Sequence, residues 1–480
     1  MSENLKNRSI NGIFWSFIET ASTKIIQFII SIIMARLLMP ADYGTVAIIL
    51  VFITISQVFI DGGFATTLIQ DKNKTERDYS TVFTFNITIS VIFYILLYIL
   101  APFISEFYNS DITLYLRVQC LGIIIYSLSS IHKIRMIVSV NFKSIARVTV
   151  ISSLISGCMG ILLAYNGFGV WALICQYITS AVMITFMYMI TLRWKPICFF
   201  DFKSFRRLFP FGMRLMIASI IDKIYSNLYP IIVGKYYTQI QLGLYSQAEQ
   251  LTSVPAYTCV DIFSRVTFPI MSSITDKCEL ISVYRKFISI SSFIIVPLLF
   301  LLIVLTKPLV LILLTEKWAS IIVLMQILFC GYMLEHISSI NRNLIYVKGR
   351  ADLALKLEII KKSIALLILI LSIPFGLTGL CVGKSLYGIL AMLLNSLYTK
   401  KLIGVSVFEQ LKDFTPYLLM GILSALFALI PIYSLNNLYA QLFLGGSFFT
   451  FCYLGLSLIT KNKSFEEVRA TIRGIRGSRL

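Results

Sequence analysis

Polar and charged side chains recur at helical spacing inside an apolar stretch near the start of the chain, where they could bind an anion. The stretch runs from Ile13 to Leu38, which is long enough to cross a bilayer. Its polar residues fall within one arc of roughly 140° on a helix. They are Ser16, Glu19, Thr20, Thr23, Lys24, Gln27 and Ser31. A charge at the bilayer centre costs about 2.5 to 3.5 kcal/mol, so this face should avoid lipid. We expect it to line a wet cavity or to contact a partner.

The same pattern returns 199 residues later in the chain. The matching pairs are Thr20 and Ser219, Thr23 and Asp222, Lys24 and Lys223, Gln27 and Ser226, Arg36 and Lys235, and Gly44 and Gly243. A repeat of a polar stripe, an outer cation and a turn glycine together predicts two equivalent lobes that face one cavity.

Cations outside the connecting loops are the predicted anion-binding residues. We assign this role to Lys24 and Lys223 first, and extend it to Arg214, Arg265 and Lys384. The alternative is that a cation near a helix end reaches the lipid headgroups with its long side chain. This alternative applies to Arg117, Arg214, Arg265, Lys361 and Lys362.

Carboxylates in the apolar segments are candidate partners for these cations. They are Glu19, Asp61, Asp222, Glu249, Asp261 and Glu335. Charge pairing is the commoner role of a buried carboxylate, and we favour it. In the other interpretation one of them titrates and couples the protein to a proton gradient.

The composition indicates a polytopic membrane protein. Of the 480 residues, 58% are hydrophobic and 14% are charged, and the mean hydropathy is +0.84. Lys and Arg exceed Asp and Glu by 42 to 23, but they separate apolar segments and do not coat a soluble face, which argues against nucleic-acid binding. The nine cysteines form no C-x-x-C, the two histidines are isolated, and no P-loop occurs. We therefore expect no metal and no cofactor.

The elements that position these residues are predicted to be about fourteen membrane-spanning helices. Apolar stretches fall at 12–35, 43–70, 80–104, 114–132, 148–165, 168–192, 208–234, 243–271, 287–305, 318–341, 357–375, 377–398, 413–433 and 438–460. The repeat divides them into an N-lobe (1–200, spans one to six) and a C-lobe (201–405, spans seven to twelve). Two further spans (406–460) and a basic cytoplasmic tail (461–480) follow.

The charges of the connecting segments predict the orientation. With the N-terminus in the cytoplasm, the inner segments hold 30 Lys and Arg residues and the outer segments hold 4. Both termini are therefore expected in the cytoplasm. Connections are at most about twenty residues long, so no soluble catalytic domain is expected and the chain should not be an enzyme.

Four short segments of the chain form recognisable motifs: Met34–Gly44 (MARLLMPADYG), Asp61–Phe64, Leu68–Gln70 and Gly167–Leu173. They resemble the Wzx-type polysaccharide exporters of the multidrug/oligosaccharidyl-lipid/polysaccharide flippase superfamily, and most of all the colanic acid and teichuronic acid branch. This resemblance implies two six-helix bundles, inward and outward states, the bacterial inner membrane, and a glycan carried on undecaprenyl diphosphate. Related lipid II flippases place cations in a central cavity, and Lys24, Lys223, Arg265 and Lys384 fit this role. A lysine presents a mobile point charge, whereas relatives often use the planar fork of arginine.

The expectation that follows is a flippase that moves a lipid-linked oligosaccharide repeat unit across the membrane by alternating access. Its partners would be that substrate, membrane lipids and proteins of polysaccharide polymerisation and assembly, and we expect a monomer. The alternative is a cation-coupled drug antiporter of the same superfamily, in which cavity carboxylates should dominate. A glycan polymerase or ligase would need a large outer loop rich in arginine, which the sequence lacks.

Overall fold

The computed structural model describes residues 3–462, 464–467 and 469, with the side chains of 3–14, 16, 17 and 351 left aside. Within this part of the chain every regular element is helical. The α-helices are α1 (Glu3–Leu37), α2 (Pro40–Asp61), α3 (Phe64–Gln70), α4 (Glu76–Phe107), α5 (Thr113–Val138), α6 (Phe142–Tyr165), α7 (Val170–Thr191), α8 (Phe202–Ser226), α9 (Leu228–Tyr236), α10 (Gln239–Ser273), α11 (Lys277–Leu313), α12 (Ile321–Tyr332), α13 (Glu335–Val347), α14 (Ala351–Ser372), α15 (Gly376–Ile403), α16 (Val407–Ser434) and α17 (Leu438–Ile459).

Twelve helical stretches of the described residues are long and apolar enough to cross a membrane. One of them, Asp352–Ile403, is 52 residues long and contains both α14 and α15, which are separated by a 3₁₀ turn at Ile373–Phe375. Helix α10 is not among the twelve, although it has 35 residues. It carries Glu249, Asp261 and Arg265, which lower its hydropathy. Counting α14 and α15 separately and adding α10 gives fourteen, which confirms the prediction of an all-helical polytopic protein.

Three predicted spans contain local breaks, although Phe202–Tyr236 and Ile321–Val347 each remain one stretch of membrane-spanning length. The span predicted at 43–70 breaks into α2 and α3 at Gly62 and Gly63, whose φ angles of 51° and 70° require the left-handed conformation that glycine adopts readily. The span at 208–234 breaks at Asn227, and the span at 318–341 breaks after Tyr332. At each break the helix is interrupted although the apolar sequence continues, so hydropathy alone predicts one uninterrupted helix.

The structure contains two compact units, and the first ends at Ser246. In this unit α6 packs between α1 and α7, α5 packs against α4 and α7, and α8 packs against α2, α3 and α4. Because α8 and α9 belong to the first unit by their contacts, its end lies beyond the lobe boundary predicted at residue 200. The division of the chain into two six-helix lobes stays a prediction.

Gly44 and Gly243, which the sequence repeat pairs, contact each other's helices within the first unit. A Cβ added to Gly44 would overlap the backbone carbonyl of Gln239, and one added to Gly243 would overlap the carbonyl of Pro40. The latter Cβ would also lie 3.0 Å from the amide nitrogen of Gly44. The first turns of α2 and α10 therefore touch through backbone atoms, which only glycine permits at this distance.

At the opposite end of α2 an ion cluster holds α8 in place. The guanidinium of Arg207 donates to Asp71 at 2.7 Å and to Asp78 at 2.6 Å. Asp78 has a side chain only 1% exposed, so Arg207 supplies the charge that its carboxylate needs. Asp201 caps α8 by accepting from the backbone amides of Lys203 and Ser204, and the hydroxyl of Ser204 holds the pKa of Asp201 below its usual value.

The second unit begins at Gln247 and contains α11 to α17. Helices α16 and α17, the predicted two-helix addition, pack against each other and against α11. A buried chain of hydrogen bonds joins α11, α13, α15 and α16: the hydroxyl of Tyr284 donates to Asn341, and the Asn341 amide donates to Ser396 and Gln410 at 3.0 Å each. Because every partner is buried, this network fixes the relative rotation of four helices.

The predicted basic tail is described only as far as residue 469. Phe465 packs against the apolar core of the second unit, and the hydroxyls of Tyr417 and Ser464 lie 2.7 Å apart. The start of the tail is therefore attached to the helices and not detached from them. The remainder, including most of its cations, lies outside the described residues.

Candidate cationic site

The polar stripe of α1 divides into two edges in the structure. On one edge the hydroxyl of Thr23 donates to Thr149 of α6 at 3.4 Å, so this edge packs inside the unit. On the other edge Thr20 and Lys24 are exposed, and Glu19 is half-buried and accepts from the Thr20 hydroxyl at 3.3 Å. The exposed part of the stripe is thus narrower than the arc deduced from the sequence, and Lys24 lies on it.

The matching stripe on α8 is accessible along its length. Asp222 and Lys223 are exposed, as is Arg214 two turns earlier. The backbone carbonyl of Lys223 accepts from Ser226 at 3.1 Å and from the side-chain amide of Asn227 at 2.8 Å, and these bonds accompany the end of α8. Lys223 therefore occupies the last turn of its helix, where a cation is favoured by the unpaired carbonyls.

Lys384 and Glu249 form an ion pair in the second unit. The ammonium of Lys384 on α15 lies 2.6 Å from Oε1 of Glu249 on α10, and the hydroxyl of Tyr332 donates to the same oxygen at 2.6 Å. The second carboxylate oxygen of Glu249 is buried and has no hydrogen-bond partner. The structure thus brings together one predicted cation and one predicted carboxylate, as the charge-pairing interpretation proposes.

The other predicted residues lie apart from this pair. Asp261 and Arg265 are exposed and stand four residues apart on α10, and Asp61 is the exposed last residue of α2. A carboxylate oxygen of Glu335, at the start of α13, lies 3.7 Å from the guanidinium of Arg342, about two turns later on the same helix. Glu335 is therefore neutralised locally, whereas Arg265 remains a candidate for anion binding.

Taken together, the accessible cations could bind an anionic group, whereas Lys384 is held by a carboxylate. Sequence reasoning missed Tyr332, because a single tyrosine among apolar residues belongs to no repeated pattern of polar residues. It also missed the Arg207 cluster, although Asp71 and Asp78 flank a basic loop. Among the described residues no group of three or more His, Cys, Asp and Glu side chains could hold a metal ion.

The sequence of this chain is similar to those of several bacterial polysaccharide biosynthesis proteins. TuaB of Bacillus subtilis (strain 168), a teichuronic acid biosynthesis protein, is 24% identical over 73% of this chain and 74% of its own length. The lipopolysaccharide biosynthesis protein WzxC of Escherichia coli (strain K12) is 23% identical over 82% of this chain and 80% of its own length. Both match most of the chain, which agrees with the resemblance in the sequence motifs.

Solved structures of similar fold include a lipid II flippase, MurJ, in an inward closed conformation. Its TM-score is 0.74 at 16% identity, and the match covers 93% of this chain and 98% of that one. An inward-facing multidrug resistance transporter of the MATE family gives a TM-score of 0.62 at 14% identity, covering 81% and 98%. At these identities the matches establish the fold. Residues 33–323, more than half of the chain, match the family described as polysaccharide biosynthesis protein, and the chain belongs to that family.

Proposed function

We propose that the protein is a flippase that moves an undecaprenyl-diphosphate-linked oligosaccharide repeat unit across the bacterial inner membrane. The observation that carries the proposal is the pair of exposed lysines, Lys24 and Lys223, at equivalent positions of the repeat in a polysaccharide biosynthesis family member. Family membership accounts for the glycan, and the cations account for its diphosphate. The polyprenyl chain stays in the lipid while the polar head crosses.

The physical role of the lysines is to replace water around the diphosphate. An ionised phosphate is costly to bury unless cations and hydrogen-bond donors meet it. Lys24 and Lys223 supply two ammonium groups for this purpose, with Arg214 and Arg265 as further donors. In the second unit, an approaching phosphate would compete with the carboxylate of Glu249 for the ammonium of Lys384.

The membrane potential favours this direction of movement. Carrying two negative charges outward across about 100 mV releases about 4.6 kcal/mol. Coupling to a cation gradient through Glu249 or another carboxylate would add to this energy without being required. The mechanism involves movement alone and makes or breaks no covalent bond, so the protein is not an enzyme in this proposal.

The test is the loss of surface glycan when the lysines lose their charge. We expect Lys24→Ala and Lys223→Ala each to abolish surface glycan at normal protein levels, because each removes one of the two ammonium groups that offset the cost of desolvating the diphosphate. Lys24→Arg should retain export, since the charge is kept, and Lys72→Ala in an exposed loop is the matched control. Glycan staining, with the membrane level of each variant measured by immunoblot, gives the readout. Normal glycan output from the double alanine variant would refute the proposal.

A cation-coupled drug antiporter is the second candidate, because the MATE transporter shares the fold. It would depend on carboxylates more than on lysines. Drug susceptibility of a deletion strain separates the two, because a flippase mutant accumulates lipid-linked repeat units in the inner leaflet whereas an antiporter mutant becomes sensitive to drugs.

A further inference from the structure

The first unit contains a partly open, uncharged cavity, lined by apolar and hydrogen-bonding side chains, that the anion site does not use. It has a volume of about 310 Å³ and lies among α1, α2, α5, α6 and α7. None of its lining residues is charged. The hydrogen-bonding groups that line it include Gln27, Gln119, Tyr126, Gln176, Tyr177 and Ser180.

Gln119 is the residue that points to a ligand. Its side chain is 0% exposed, and neither its amide nitrogen nor its amide oxygen has a hydrogen-bond partner. A buried amide without partners is costly, and native proteins leave few of them. Both amide atoms are shielded from the cavity in this structure, so they would recover this cost when the side chain turns toward a ligand that both donates and accepts hydrogen bonds.

The aromatic wall of the cavity is fixed by glycines. A Cβ on Gly122 would overlap the ring of Tyr177, and one on Gly160 would lie 3.0 Å from Cβ of Gln176. The rings of Tyr126 and Tyr177 stand 5.6 Å apart at 60°. The small residues thus seat two large polar side chains against the helices, so the wall is formed before any ligand binds.

These features favour a sugar ring over an ion. The cavity volume is at the lower end of ordinary ligand pockets, and it offers amides and hydroxyls beside aromatic rings. A sugar ring presents hydroxyls that donate and accept, together with C–H groups that pack on aromatic faces. A phosphate or a metal ion would find no opposite charge among the lining residues.

The cavity and the anion site meet on α1. Gln27 lines the cavity and follows Lys24 by three residues, so the two side chains lie one turn apart on neighbouring positions of the helix surface. We propose that the cavity binds a sugar ring of the lipid-linked oligosaccharide while Lys24 meets its diphosphate. This inference rests on the proposed function and adds to it a site that selects the glycan.

The experiment compares a diphosphate lipid with and without its sugar. Purified full-length protein is titrated with nerylneryl diphosphate and with the same lipid linked to glucose or N-acetylglucosamine, and binding is measured by native mass spectrometry. We expect wild type to bind a sugar-linked form more tightly than the bare lipid. Gln119→Leu should weaken sugar-linked binding by about threefold to tenfold and leave the bare diphosphate unchanged. Lys24→Ala should weaken both.

Stability measurements distinguish a binding role for Gln119 from a structural one. Because Gln119 has no partner in the protein, Gln119→Leu should leave the melting temperature unchanged or raise it. Gln247→Leu is the matched control: it is another buried glutamine with both amide atoms unpartnered, it lies outside the cavity, and its loss should not alter binding. Tyr177→Phe provides a second cavity variant, with the same expected loss of sugar-linked binding.

Two negative results have different meanings. If wild type and Gln119→Leu bind the sugar-linked and bare lipids equally well, the cavity does not bind sugar and the inference is overturned while the flippase proposal stands. If wild type binds neither lipid, the proposed function fails and the cavity inference fails with it.

Discussion

At the level of single residues, Glu249 decides whether Lys384 presents a charge. One carboxylate oxygen accepts from both Lys384 and Tyr332, and the other is buried without a partner. A carboxylate in this state is stabilised mainly by its cation, so removing the lysine should cost more than removing an exposed one. The pair was predictable only in part, because both charges are evident in the sequence but their contact across two helices is not.

We expect Lys384→Ala to lower the stability of the protein by about 1 to 3 kcal/mol, because it leaves the Glu249 carboxylate without its cation. The side chains are 23% and 25% exposed, so some of the loss is screened by solvent. The melting temperature of the purified protein in detergent is the measurement, and Lys412→Ala, at an exposed position, is the control. The double variant Lys384→Met, Glu249→Gln should recover most of the loss. If the double variant is less stable than Lys384→Ala, this account of the ion pair is contradicted.

At the level of helices, glycines determine where some helices break and where two helices come into backbone contact, and hydropathy indicates neither. Apolar length predicted the number of spans because each helix must cross the same hydrocarbon thickness. Apolar length did not predict the breaks at Gly62 and Gly63 or at Asn227, because the hydropathy of a segment does not depend on its backbone φ angles. The break after α2 lets Gly63 approach the backbone of Gly212, whose carbonyl a Cβ would overlap.

We expect Gly44→Ala to destabilise the protein by about 1 to 3 kcal/mol, because the added methyl group would overlap the Gln239 carbonyl. Gly455→Ala is a matched control within a helix, where an added Cβ meets no atom within 4 Å. That control should be neutral or more stable by up to about 1 kcal/mol, since alanine favours helices. Both are measured as melting temperatures in the same detergent. Equal changes in melting temperature for the two substitutions would show that the close contact at Gly44 does not affect stability.

At the level of the whole molecule, the chain is a multi-pass membrane protein of an established family, and its orientation is the prediction that remains to be tested. The sequence predicted the class and the family from composition and a few short motifs. It could not predict that α8 and α9 pack in the first unit, because a sequence repeat indicates which segments are equivalent and not which helices contact each other.

The charge pattern predicts that Cys278, at the start of α11, faces the cytoplasm and that Asp111, between α4 and α5, faces outward. We expect a membrane-impermeant maleimide to label an Asp111→Cys variant in intact spheroplasts. Cys278, which is exposed, should be labelled only after the membrane is permeabilised. Each cysteine is tested alone in a background with the others replaced, and labelling is read by mass shift. Labelling of Cys278 in intact spheroplasts would reverse the orientation.

The contact between Gly44 and Gly243 restricts how far the two halves of the chain can diverge. Each position meets the helix that carries the other, as in a self-complementary interface between identical subunits. A side chain acquired by either half would collide with the backbone of its counterpart, so neither position can change unless both helices shift. Since each position meets backbone and not a side chain, a substitution at one glycine could not be accommodated by exchanging the side chain at the other.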